Sequence, residues 1–338
     1  MNEENKNKSI WGDQQTLLFT QLLPEVILDI ADSHGFKTTG RVLTLNSMEN
    51  RVYEMEVEQG SIVAKFYRPG RWGLETLQDE HDFMFDLKEQ EIPIVAPSQI
   101  DGESLFFNEE LSLYYCFYER FGGRIDSELT KDKVESIGRT IARMHNIGEM
   151  KPAKNRSRLD LDTFYHANKA FLLEFKSNDS VFLGQFNYFC DEFEKTIVDD
   201  PFKNAKYLRA HGDLHFGNII WRDTSHYLID FDDMLMAPSI QDLFFIHQNI
   251  ETTWPDLRDS FIDSYELFRE YPFHEEKLIP LLRILRQLNY QVWISKRHED
   301  LAFQRGFPQF NQGNFWEIFV GDLRLALMEW QQKSISNY

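Results

Sequence analysis

The chain has 338 residues, 42% hydrophobic and 14% aromatic, so it carries enough apolar area for two cored lobes or one large domain. A formal net charge of −19 excludes a broadly basic nucleic-acid-binding face, because phosphates would be repelled at long range, although a local basic pocket for a nucleotide remains compatible. Two cysteines, Cys116 and Cys190, form no disulfide framework and read as unrelated buried thiols of a reducing compartment.

Residues 1–9 are polar and carry no apolar leader-like run, so 1–15 is expected to be a frayed tail. No later window offers the roughly 18 consecutive apolar residues of a membrane span. A cytoplasmic monomer without nucleic-acid or membrane partners is the expectation. A helix is predicted from Pro24, a favoured first helical position, to just before Gly35. Residues 52–57 and 62–67 flank Glu58-Gln59-Gly60-Ser61 and read as a hairpin, with a second strand pair at 105–107 and 113–118. One helix, 75–88, lies between the two pairs. Phe121-Gly122-Gly123 then marks a hinge, and backbone at 118–121 is the expected partner of a planar base.

Beyond the hinge the pattern turns helical. Val134, Ile137, Ile141 and Met144 form an amphipathic stripe, and further helices are predicted at 182–197, 240–250, 278–294 and 315–332. A β-like, loop-rich island, 207–233, is embedded among them. The expected fold class is therefore α+β: a small β-rich lobe (16–121) joined to a larger, mainly helical lobe (122–338), with a ligand cleft between them.

The island carries the chemistry. It contains His211-Gly212-Asp213-Leu214-His215-Phe216-Gly217-Asn218 and then Leu228-Ile229-Asp230-Phe231-Asp232-Asp233. Phosphoryl transfer to a hydroxyl requires a carboxylate for the hydroxyl proton, hard oxygen ligands for a divalent cation and a cation for the phosphates. Asp213 can be the base, Asn218 a neutral metal ligand, and Asp230 an anionic ligand at the end of a short apolar strand. An ordinary Asx-rich turn would also read Gly-Asp-x-x-x-x-Asn; the apolar run 227–229 ending in Asp230 is what weighs against it. In the small lobe, Lys65 sits mid-strand in Ile62-Val63-Ala64-Lys65-Phe66-Tyr67, an odd place for a solvated lysine. Glu80 interrupts the helical stripe Leu77, Met84, Leu87, so it either pairs with Lys65 or reaches water at the stripe's edge.

These residues resemble the aminoglycoside phosphotransferase/choline kinase-like branch of the protein kinase-like two-lobed fold, whose catalytic loop reads His-Gly-Asp-x-x-x-x-Asn. Within it, Leu45-Asn46-Ser47-Met48-Glu49-Asn50-Arg51-Val52-Tyr53 and Lys65-Phe66-Tyr67-Arg68-Pro69 look like the bacterial Ser/Thr protein kinases of stress response. The resemblance runs from about residue 22 to 338. It implies ATP and Mg²⁺ as cofactors, with Asp213 as proton acceptor and Asp230 and Asn218 on the metal. It also implies Lys65 on the α/β-phosphates, Glu80 orienting Lys65, Ser47 in the loop that covers the nucleotide, and Asp242 steadying the catalytic loop. The Gly-x-Gly-x-x-Gly loop of ordinary protein kinases is absent, and Asp230-Phe231-Asp232 replaces Asp-Phe-Gly.

The implied acceptor is a protein Ser/Thr hydroxyl. A small hydroxylated molecule remains open, an amine-bearing one being compatible with the net charge, and so does a nucleotide-binding scaffold without activity. His211 and His215 read as hydrogen-bonding loop residues rather than a metal pair. Asp232 and Asp233 read as solvated or capping carboxylates, with a second Mg²⁺ as the alternative.

Overall fold

A computed structural model describes residues 16–335 except 46 and 127. The expected tail, 1–15, lies outside the described residues, as does Asn46 of the loop expected to cover a nucleotide.

The small lobe opens with α1 (Pro24–Ser33), which begins at its proline and gives way to Gly35 at φ +85. Strands β1 (Thr38–Leu45), β2 (Arg51–Val57) and β3 (Gly60–Phe66), then β4 (Phe106–Asn108) and β5 (Leu113–Glu119), make one antiparallel sheet in the order β1-β2-β3-β5-β4. Side chains alternate across it. Ile62, Ala64 and Phe66 of β3 pack with Met55, Phe117 and Ile27 of α1, whereas Val63 and Lys65 face the cleft. Strand β1 escaped the sequence reading because its alternation is broken at Gly40 (φ +93) and none of its residues is fully buried. Helix α2 (Leu74–Glu89) buries Leu77, Glu80, Met84 and Leu87, so the stripe runs through Glu80 without a break.

The larger lobe follows through β6 (Arg124–Ile125) and α3 (Lys131–Met150). Val134, Ile137, Ile141 and Met144 of α3 are fully buried. Next come α4 (Ala167–Phe175) and α5 (Ser180–Glu194). Helix α5 buries Phe182, Phe186, Phe189 and Phe193 at helical spacing, each contributing about 1.5–3 kcal/mol of transfer free energy. The island is built from β7 (Tyr207–Ala210), β8 (Ile219–Arg222), β9 (Ser225–Leu228) and β10 (Leu235–Pro238). β7 pairs antiparallel with β10, and β8 with both β6 and β9. Helices α6 (Ile240–Thr253), α7 (Arg258–Glu266), α8 (Ile279–Arg297), α9 (Leu301–Gly306) and α10 (Phe315–Ile335) complete the lobe. The small β-rich lobe and larger helical lobe are the α+β architecture expected from the pattern. Cys116 and Cys190 are buried in separate clusters and unbonded. Among the described residues no helix is long and apolar enough to cross a membrane.

Candidate active site

β7 delivers the chain into the loop His211–Asn218 at the cleft floor. The backbone N–H groups of His211 and Gly212 donate to the fully buried carboxylate of Asp242, at 2.8 and 2.9 Å. Gly212 is obligatory here. Its φ is +87, and a Cβ would stand 2.0 Å from the Asp233 carbonyl oxygen. His211 is buried and its ring meets the Ile229 carbonyl at 2.9 Å, joining this loop to the strand end that carries Asp230. It therefore holds loop to loop, as a non-ligating histidine.

Asp213 is turned toward the cleft, its side chain 27% exposed, with Arg286 Nη1 at 2.9 Å from Oδ1 and His215 Nε2 at 3.5 Å from Oδ2. Burial alone would raise its pKa, but His215 and the Arg286 guanidinium outweigh it and hold the carboxyl well below the usual range. Arg286, on α8, was invisible to the sequence reading: it stands 73 residues downstream in a helix read only for its apolar stripe. Asn218 donates its amide N–H to the Asp213 carbonyl at 2.9 Å, which leaves Oδ1 as its acceptor atom. Asp230 adopts the left-handed region (φ 65°, ψ 65°), unusual for a non-glycine residue, and its side chain is 55% exposed. Strain of this kind persists only where neighbours over-determine it.

Lys65 makes three ion pairs, with Asp232 at 3.3 Å and with Glu80 and Asp230 at 3.7 Å, and no directed hydrogen bond among the described residues. Burial would lower its pKa, but Asp232 and Glu80 drive it well above the usual value, so it stays charged. Glu80 is 0% exposed, so it does not reach water. Its tight partner is Arg156 Nη2 at 2.7 Å, rather than Lys65. Asp232 corrects the expectation of a solvated carboxylate. It is 4% exposed and bound by Arg71 at 2.6 Å and Asn50 at 3.2 Å, while Asp233 pairs with the other edge of Arg71.

The loop between β1 and β2 is fastened across the cleft to α8. Glu49 accepts from Trp293 Nε1 at 2.7 Å and Arg297 Nη2 at 2.9 Å, and pairs with Arg68 at 3.1 Å. Asp300, just beyond α8, takes Arg51 and Arg68, each at 3.0 Å. Arg68 and Arg297 are nearly inaccessible, so removing the Glu49 charge takes a compensating carboxylate from both, Arg68 keeping Asp300. Glu49→Gln is expected to cost about 1–3 kcal/mol in denaturant unfolding and to speed amide exchange over 47–51. Exchange as slow as in the parent protein would show that the ion cluster does not hold this loop.

One cleft of about 710 Å³ collects Ser47, Lys65, Asp213 and Asp230. Asn218 and Glu80 stand behind its wall, tied in through Asp213 and Lys65. At the hinge end, Val52 and Val63 above face Ile220 and Ile229 below, beside Tyr118, Glu119 and Phe121. That is an apolar slot for a planar ring against extended backbone. At the other end lie Asp213 and the cleft face of α8.

The phosphotransferase enzyme family model matches residues 42–277. Stress response kinase A of Escherichia coli K12 is 30% identical over 299 residues, 88% of this chain and 90% of its own length. The serine/threonine protein kinase RdoA of Salmonella typhimurium is 30% identical over 300 residues, with the same shares. Among solved structures, amicoumacin kinase hAmiN, in complex with AMP-PNP, Ca²⁺ and Ami, superposes at TM-score 0.69 and 17% identity, covering 94% of this chain and 96% of its own. Choline kinase LicA from Streptococcus pneumoniae superposes at 0.59 and 18%, covering 90% and 98%. These two likenesses are of fold.

Proposed function

The chain belongs to the phosphotransferase enzyme family, together with stress response kinase A, and from that premise we propose that it is an ATP- and Mg²⁺-dependent Ser/Thr protein kinase of bacterial stress response. The observation that carries this reading is the convergence of Ser47, Lys65, Asp213 and Asp230, from four separate segments, on one cleft.

The residues fit the cofactors. Among the described residues Lys65 makes ion pairs at 3.3–3.7 Å but no directed hydrogen bond, so its charged ammonium is able to turn donors to α/β-phosphate oxygens. Among the described residues no three His, Cys, Asp or Glu side chains form a metal cage. Asp230 with Asn218 offers two oxygen donors, the share that protein supplies to a hydrated Mg²⁺ otherwise held by phosphates. When bound, the metal–nucleotide pair supplies the transferable phosphoryl group and neutralises its charge. The chain's own part is to hold and orient. Glu80, clamped by Arg156, limits the travel of Lys65, and Ser47 borders the phosphate end. Asp213 aligns the acceptor hydroxyl and takes its proton.

The protein acceptor is favoured over a small molecule by the relatives at 30% identity, one of which bears the name of a serine/threonine protein kinase. Labelled ATP incubated with the enzyme and a bacterial extract should place label in protein. Label confined to metabolites would move the reading to a small-molecule hydroxyl kinase. Asp230→Ala is expected to weaken Mg²⁺-dependent nucleotide binding about tenfold or more, since the anionic ligand is lost. A calorimetric titration matching the parent protein would remove Asp230 from the metal site.

A further inference from the structure

Acidic clefts suit cationic acceptors, yet the acids around Asp213 in this one already have cationic partners. On the acceptor side Asp213 is paired with Arg286 and His215, Asp233 with Arg71, and Glu49 with Arg297 and Arg68. The cation there that still reaches solvent is Arg286, whose pairing with Asp213 uses only part of its guanidinium. Arg286 projects from the cleft face of α8 alongside Leu282, Asn289, Tyr290 and Trp293. Its guanidinium lies 3.7 Å from the Phe245 ring centroid and meets Asp213 through Nη1. The side chain is 35% exposed, and no other partner for it occurs among the described residues. A guanidinium presents five N–H donors in a flat fork. One edge is taken by the base; donors remain on the rest.

We propose that Arg286 reads a negative charge on the acceptor next to the hydroxyl served by Asp213. The acceptor class is then a hydroxyl compound with a carboxylate or phosphate within about 4–6 Å of that hydroxyl, the span set by two hydrogen bonds of ordinary length around one guanidinium. In a protein the source is an acidic side chain flanking Ser or Thr; in a small molecule it is a hydroxy acid. The net charge of −19 does not forbid this. Charge spread over the surface is screened beyond about 8 Å at physiological salt, whereas a contact pair in the cleft is screened far less. The assignment rests on the reading of Asp213 as the base of a kinase.

The test separates the two. Binding is measured by calorimetry, independently of turnover, with Mg²⁺ and a non-hydrolysable ATP analogue present. One arm uses matched Ser peptides flanked by Glu, Ala or Lys, and the other glycerate against ethanolamine. Expected is a preference of about 10-fold or more for the anionic member in at least one arm, in line with a charge-assisted hydrogen bond. The preference should collapse in Arg286→Gln and survive in Arg286→Lys. Equal binding of anionic, neutral and cationic acceptors, preference for the cationic ones, no binding of any, or a preference untouched by Arg286→Gln overturns the proposal. If the analogue itself fails to bind, the kinase reading falls, and this inference with it. The arm that responds identifies the source of the charge.

Discussion

Asp213→Ala is expected to lower turnover by roughly 10²–10⁴-fold, the usual worth of a positioned general base, while ATP still binds. The separation follows from the geometry. Asp213 stands at the proposed acceptor end of the cleft, paired with Arg286 and His215, whereas Lys65 and the apolar slot that would take the nucleotide lie elsewhere on its wall. Removing the carboxylate thus subtracts from the chemistry and leaves nucleotide contacts in place. In the proposed role, the depressed pKa makes Asp213 a weak base. A weak base takes its proton late, after most of the phosphoryl movement, which suits a loose transition state. Its earlier task is alignment, so Asp213→Asn should recover part of the alignment and none of the proton transfer. Because the folded pKa is low, the carboxylate is ionised across the neutral and mildly acidic range, and Asp213 should impose no acid limb on kcat there. Removing the Arg286 charge should raise that pKa and bring a limb toward neutrality. Steady-state turnover beside nucleotide titration is the measurement. Unchanged turnover in Asp213→Ala takes this residue out of the catalytic role.

Much of this site was legible because its residues violate their surroundings. A lysine at mid-strand, a glutamate within an apolar helical stripe and an aspartate closing an apolar strand each cost free energy unless something compensates, so each advertises a site. The two lobes were legible for a plainer reason: periodicity switches from two to about 3.6 residues near the hinge. What stayed hidden were the partners. Arg71, Arg156 and Arg286 lie in a loop, a connector and an exposed-looking helical position, where arginine is ordinary and no pattern is broken. Asp232 was misread for the same reason. Two adjacent aspartates after a strand look solvated until the fold lays Arg71, Asn50 and Lys65 around one of them. Strand β1 was missed because a strand with both faces partly wet and a glycine at positive φ leaves no alternation to detect.

The largest stability effect is expected at Arg156. Its guanidinium pairs with Glu80 at 2.7 Å where both side chains are 0% exposed. It also donates to the carbonyls of Thr76 at 2.9 Å and Asp232 at 2.6 Å, and lies over the Trp72 ring. One side chain thus ties α2 of the small lobe to the turn after Asp230. In Arg156→Ala, Glu80 keeps only the longer contacts to Lys65 at 3.7 Å and the Tyr67 hydroxyl at 3.4 Å, and the Thr76, Asp232 and Met234 carbonyls each lose a donor. Breaking a buried pair from one side in this way costs about 3–5 kcal/mol. Replacing both partners by apolar residues of similar shape removes the stranded charge, so Glu80→Met/Arg156→Met should be markedly less destabilised than Arg156→Ala. Urea midpoints for the single and double variants decide the matter. A single variant within about 1 kcal/mol of the parent protein would mean that Lys65 moves in to hold Glu80, as the sequence alone suggested. The activity of Glu80→Met/Arg156→Met carries the functional half of the argument. If Glu80 matters only as a restraint on Lys65, the double variant stays folded yet binds nucleotide more weakly. If it binds as the parent does, the clamp serves the fold alone.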